Sequence, residues 1–176
     1  MLSLALKKES NILEVKDSEH DVAIYHIENL KRKIEYISRN AISKNTQDID
    51  KFKVLLTGAA GSGNDKMVLG KPILTESNSV CSQSFLYVPF DTKDKTNNFF
   101  KYLKTKFFRA LVASIKITQS CPNRVYQFVP IQDFSNKSDI DWNKPIDKID
   151  DQLYKKYKLE KTDIDYIDKM IEYFDE

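Results

Sequence analysis

The chain has 176 residues, 41% of them hydrophobic and 31% charged, with 28 lysines and arginines against 26 acids. The length suits one domain of ordinary size, and the apolar content excludes an intrinsically disordered chain. A formal net charge of +2 argues neither for nor against nucleic acid, so distribution must decide: acids crowd Asp139 to Glu176, while bases and amides populate Lys93 to Arg124.

In chain order, Val22 to Ile27 and Lys33 to Ile37 read as a hairpin of short strands, rich in β-branched and aromatic residues, with Asn29 to Arg32 as its turn. Ile12, Leu13 and Val15 mark a further strand before it. Asn40 to Asp50 is polar and loop-like, and Lys53 to Thr57 reads as a buried strand. All four glycines fall between Gly58 and Gly70, so one loop calls for conformations or close approaches that glycine permits. Val80 to Val88 reads as the next strand, ended by Pro89. From about Asn97 to Lys116 the period becomes helical: Phe99, Leu103, Phe107, Ala110, Leu111, Ser114 and Ile115 form one broad stripe. Val125 to Ile131 reads as a short strand ending at Pro130, and a polar stretch follows around Trp142. Two short helices close the chain, marked by Leu153, Tyr154 and Tyr157 and then by Ile164, Ile167, Ile171 and Phe174. Thr162 with Asp165 resembles a capping box.

Two cysteines, Cys81 and Cys121, are too few for a secreted disulfide framework. The opening Met1 to Leu6 is too short for a signal-peptide core, and no apolar run approaches the ~20 residues of a membrane span. A soluble, cytoplasmic protein with reduced thiols is expected.

The loop Thr57-Gly58-Ala59-Ala60-Gly61-Ser62-Gly63-Asn64-Asp65-Lys66 follows a strand, as phosphate-binding loops do. A Walker A loop would need lysine where Asn64 stands, the dinucleotide pattern fails as well, and no helical pattern opens behind the loop. What remains is a set of backbone amides suited to approaching a nucleic-acid phosphate, or a plain surface turn. His20 and His26 have no accompanying metal-ligand spacing. The carboxylates interleave with lysines as solvated faces and caps. Asp17-Ser18-Glu19-His20 lacks the lysine of a nuclease signature. The connector Lys116 to Gln127 is different: it offers Lys, Gln, Asn, Arg and Tyr in quick succession without an acid. Arg and Lys read guanine edges and phosphates, and Asn and Gln read adenine edges. A polar connector with solvent-facing amides is the plain alternative.

Several blocks, taken in order, resemble a known family: Asp50 to Leu55, the loop Ala60-Gly61-Ser62-Gly63, Glu76 to Phe85, Phe100 to Arg109, Val125 to Phe134, Leu153 to Tyr157 and Ile164 to Met170. Together they are similar to the C-terminal part of type II adenine-specific DNA methyltransferases, including forms fused to a restriction nuclease. The likeness runs from about Ile34 to Met170. It implies a target-recognition region that clamps duplex DNA and reads the site, while a preceding α/β domain binds S-adenosylmethionine and methylates a flipped adenine. The order strand, glycine loop, strand, long helix, strand is also similar to the recognition domains of type I specificity subunits. The family's Asn/Asp-Pro-Pro-Tyr/Phe motif is missing, since no Pro-Pro occurs, and no cofactor motif of the Phe-x-Gly-x-Gly kind occurs either. The resemblance therefore implies no catalytic residue and no cofactor in this chain, with S-adenosylmethionine belonging to the parent enzyme. It also implies that the chain is a fragment, a separate domain or a truncated product.

The expected fold is α+β, a single domain over 1–176: a curved, mainly antiparallel sheet, one long amphipathic helix, and a helical C-terminal extension over 140–176. The expected partners are double-stranded DNA and a methyltransferase or endonuclease domain. Candidate backbone contacts are Ser62, Lys66 and Lys116 with the amides of Gly61 and Gly63. Candidate base readers are Gln83, Gln119, Asn123 and Arg124. Two alternatives stand beside this: a protein-interaction module whose helical C-terminus docks a methyltransferase or nuclease partner, and a phosphate-handling enzyme using the glycine loop.

Overall fold

The computed structural model describes residues 11–59, 66–116, 118 and 120–174. Its fold is α+β with mainly antiparallel strands, and the chain divides into two compact units.

The first unit comprises the described residues up to Gly58 together with Ile73–Thr96. Strands β2 (Val22–Glu28) and β3 (Lys31–Ile37) pair antiparallel from Val22↔Ile37 to Glu28↔Lys31. The turn is shorter than expected. Lys31 and Arg32 join the ladder, leaving Asn29 and Leu30 as the whole loop, at φ 49° and 64°. Positive φ at both central residues is what a type I′ turn requires, and that turn matches the twist of the strands it joins. β1 (Ile12–Leu13) adds to β3, and β6 (Ser79–Cys81) adds parallel to β2, giving the order β1-β3-β2-β6.

β2 is therefore internal and carries apolar residues on both faces. Val22 and Ile24 pack with Ile37, Ile42, Ile49 and Val80, while Tyr25 and Ile27 lie against Leu55, Cys81, Phe85 and Tyr87. A second sheet has the order β5 (Ile73–Thr75), β4 (Phe52–Thr57), β7 (Phe85–Phe90). The expected single strand Val80 to Val88 is thus two strands in different sheets. Ser82, Gln83 and Ser84 break it: the Ser82 hydroxyl accepts the Ser84 N–H at 3.3 Å, and the Phe85 N–H reaches the Ser82 carbonyl at 3.1 Å. Such local bonds offer the backbone an alternative to the ladder. Pro89 sits inside β7, opposite Lys53, and is tolerated because β7 is an edge strand.

The second unit comprises the described residues of Ala59–Pro72 and Asn97–Glu176. The one long helix expected over Asn97 to Lys116 is two: α1 (Lys93–Lys104), which begins in the first unit, and α2 (Lys106–Ile115). Thr105 between them is extended, at φ −65° and ψ 148°. Its Oγ1 accepts the Phe108 N–H at 3.1 Å and donates to the Tyr102 carbonyl at 2.6 Å. The apolar stripe runs on through the break because Phe99, Leu103, Phe107 and Phe108 are buried on both sides of it. The strand expected over Val125 to Ile131 does not form. Residues Asn123–Tyr126 make a 3-10 turn instead, in which only Val125 is buried, and the Val129 N–H bonds to the Tyr126 carbonyl at 3.1 Å.

Two helices follow, α3 (Ile146–Lys156) and α4 (Lys161–Met170). Asp150 of α3 accepts the N–H groups of Lys106 and Phe107, each at 2.9 Å, and so caps α2 from outside. The capping box of α4 is formed by Glu160 and Asp163, two residues earlier than the expected Thr162 and Asp165; Asp165 pairs with Lys161 instead. Phe99, Tyr102, Phe108, Phe134 and Trp142 form an aromatic core with ring centroids 5.0–6.0 Å apart. Among the described residues no helix is long and apolar enough to cross a membrane.

Candidate nucleic-acid interface

From Lys95 to Gln132 the sequence holds no acid and seven lysines and arginines, yet most of these cations serve the fold. Lys101 Nζ donates to the Trp142 carbonyl at 2.6 Å. Lys106 pairs with Asp168 at 2.7 Å and lies over the Tyr173 ring. Arg109 is fully buried; it donates to the Thr105, Lys104 and Met67 carbonyls and stacks on Phe174 at 4.4 Å. Lys104 covers the Phe100 ring at 5.5 Å. A planar guanidinium buried against carbonyls and an aromatic face is a structural use of arginine. Of the seven, Arg124 is the exposed one.

The glycine-rich loop and the acid-free connector, distant in sequence, meet in the second unit. Ala59 and Ser120 form an antiparallel bridge at the loop's entrance. At its exit, Lys116 Nζ donates to the Val68 carbonyl at 2.5 Å and Arg109 Nη1 to the Met67 carbonyl at 3.4 Å. Both flanks of the loop are therefore tied to α2 and the connector. Gly61, Ser62 and Gly63, and Gln119 on the connector, lie outside the described residues. Lys66 is exposed and directed at Glu172, with Nζ to Oε1 at 2.7 Å. Lys116 is half-buried and spends its amine on the loop. Asn123 and Arg124 stand exposed on the 3-10 turn. Gln83 is exposed on the turn between β6 and β7 and belongs to the first unit.

Three residues of this surface were hidden by reading Val125 to Ile131 as a strand. Gln127 is exposed, Phe128 is 63% exposed and Ile131 is 93% exposed. They are presented by a firmly held segment. The Pro130 carbonyl accepts the Tyr102 hydroxyl at 2.8 Å and Gln132 Nε2 at 3.0 Å. Gln132 is itself buried and also bonds the Tyr157 hydroxyl and Lys156. Trp142 Nε1 holds the Asp133 carbonyl at 2.9 Å, and Asn98 the Phe134 carbonyl at 2.9 Å. The available signal was the paired prolines, Pro122 and Pro130, which bracket a stretch too restricted for a central strand.

This surface offers hydrogen bonding, one guanidinium and apolar contact. Burial pushes the Cys121 thiol upward, against the pull of nearby Lys116, and likewise holds the Tyr126 phenol protonated. In the first unit burial pushes the Cys81 thiol up to about 12. Both cysteines are thus held as thiols, the form that is not nucleophilic. Among the described residues no group of three or more His, Cys, Asp or Glu is placed to hold a metal ion. Comparison of the chain with protein-family models, with curated proteins and with solved structures finds no match in any of the three.

Proposed function

We propose that this chain recognises duplex DNA selectively within a bacterial restriction–modification system in the cytoplasm. In that role it would direct an adenine N6-methyltransferase, or a nuclease fused to one, that supplies S-adenosylmethionine binding and catalysis. The observation that carries the proposal is the convergence of the glycine loop's flanks with the acid-free connector, which sets Asn123, Arg124 and Gln127 on one exposed segment. Arginine and amide side chains are the usual readers of guanine and adenine edges, and loop amides suit phosphates. The likeness to target-recognition regions supports the same reading. Lys66 and Lys116 support it least, since both amines already have partners.

The test is fluorescence anisotropy on labelled duplexes over a salt series. Affinity should fall steeply with salt, and Arg124→Ala should cost about 1–3 kcal/mol on the cognate site and relax selectivity at one position. An Arg124→Ala chain with unchanged affinity and selectivity would remove Arg124 from the interface. A second reading, a docking module for a methyltransferase or nuclease, is favoured by Tyr166 and Met170, which expose 64% and 44% of their surface one turn apart on α4. It expects little DNA affinity at any salt.

A further inference from the structure

The turn after Pro122 sets three unlike side chains together. Asn123–Tyr126 is a 3-10 helix, and Gln127 continues it at φ −65° and ψ −23°, with its N–H on the Arg124 carbonyl at 3.4 Å. Residues three apart eclipse one another in this geometry and stand ~6 Å apart along its axis. Arg124 and Gln127 therefore share one edge, and both are exposed. Among the described residues neither the guanidinium nor the side-chain amide has a partner. Phe128 comes next and exposes 63% of its surface.

The backbone beneath them is pinned. Val125 is buried, and its N–H meets the Pro122 carbonyl at 3.0 Å. The Val129 N–H meets the Tyr126 carbonyl at 3.1 Å, and the Tyr102 hydroxyl holds the Pro130 carbonyl at 2.8 Å. The nearest acid in sequence, Asp133, is turned onto the N–H and hydroxyl of Ser135. A guanidinium, an amide and an aromatic ring thus stand side by side on a firm support, and the ring adds nothing to the core below it.

We propose that this edge reads a guanine and, within two base steps of it, an A·T pair from the major groove. Arg124 takes guanine O6 and N7, Gln127 takes adenine N6 and N7, and the Phe128 ring rests on the C5-methyl of the thymine paired with that adenine. Each is the pairing that its chemistry makes on a base edge, and ~6 Å is close to two base steps of ~3.4 Å. A protein partner would have to bring a carboxylate, an amide partner and an apolar pocket to this spacing. A G·C pair with an A·T pair beside it carries acceptors, a donor and a methyl there in its regular geometry. The inference rests on the reading that the chain binds duplex DNA, and it adds a thymine contact and a base composition to the same site.

The test begins with selection of a site by the full chain from a random duplex pool. The enriched site should hold a guanine with an A·T pair one or two steps away. Each thymine of that site is then replaced singly by uracil, which removes the methyl and keeps every hydrogen-bonding group. Wild type should lose about fourfold in affinity at one position, the worth of one buried methyl. Phe128→Ala should bind the thymine and uracil duplexes alike at that position, with its thermal midpoint unchanged because the ring is exposed. Arg124→Ala should lose the preference for guanine and keep the uracil penalty. Wild type indifferent to uracil at every position would overturn the thymine contact and leave Phe128 to a protein partner. A penalty that persists in Phe128→Ala, or duplex binding that enriches no site, would overturn it as well. The wild-type measurement needs no variant, so it decides even where Phe128→Ala loosens the turn. The first two of these outcomes leave the DNA reading intact, whereas binding to no duplex at any salt would overturn both.

Discussion

Lys53 is an amine with 1% of its surface exposed, held by the Lys51 carbonyl at 2.6 Å, the Ile49 carbonyl at 3.1 Å and Ser79 Oγ at 3.5 Å. Burial lowers its pKa to about 8, against the pull of Asp48. A lysine pKa depressed in the folded state means that the unfolded chain binds the extra proton, so stability rises with pH from about 8 to the unfolded value near 10.4. Below that window the buried charge costs about 3 kcal/mol. Urea unfolding at a series of pH values should show wild type gaining roughly 2 kcal/mol over Lys53→Met between about pH 8 and 9.5. The comparison with the variant removes the opposing contribution of Cys81, which lowers stability as the unfolded thiol ionises. The Ile49 carbonyl keeps a partner in the variant, since it also accepts the Ser79 N–H. Asp150 is the counterpart in the second unit, a carboxylate raised to about 6 by burial, yet bonded to two helix N–H groups and to the Tyr173 hydroxyl. Asp150→Ala strands all three donors and should lower stability by about 2–4 kcal/mol in denaturant unfolding at pH 7. Neither role was legible in the sequence. Lys53 stood inside a strand pattern, and Asp150 was one of many acids interleaved with lysine on a helix; only the partners that tertiary structure brings distinguish them.

At the level of elements, the junction at Thr105 shows most clearly what periodicity conveys and what it omits. Phe99, Leu103, Phe107 and Leu111 keep helical spacing straight across it, so the apolar pattern predicts one helix. The break is made by a hydroxyl bonded to both neighbouring turns and by Asp150, which satisfies α2's first donors and makes a free helix start tolerable. Thr105→Ala should cost about 1 kcal/mol in thermal or chemical unfolding, with helix content by circular dichroism unchanged. The hairpin, β4 and the two C-terminal helices were readable, because alternation and three-to-four spacing persist in them and nothing competes. The connector was not. Val125, Tyr126, Phe128 and Val129 have strand-like composition, but among the described residues no strand pairs with them, and local turns win.

For the molecule as a whole, near-neutral net charge concealed an uneven chain, and the unevenness itself was only half informative. The acid-free stretch was visible, but the sequence could not tell that Lys101, Lys106, Arg109 and Lys116 would be spent on carbonyls and an aspartate. Within that stretch, among the described residues, Arg124 is the cation that stays exposed. A binding measurement should therefore find a salt slope set by few phosphates, about −2 to −4 in log–log form, rather than the −10 of a heavily basic repressor.

The chain does not finish one unit before starting the other, and that has a consequence for biosynthesis. The segment Ala59–Pro72 belongs with Asn97–Glu176, so it leaves the ribosome well before its partners. The nascent chain can assemble both sheets once Thr96 has been made. The carbonyls of Met67 and Val68 must stay hydrated until Arg109 and Lys116 follow, and Lys66 waits for Glu172. The flanks of the glycine loop are among the last parts of the molecule to be tied down.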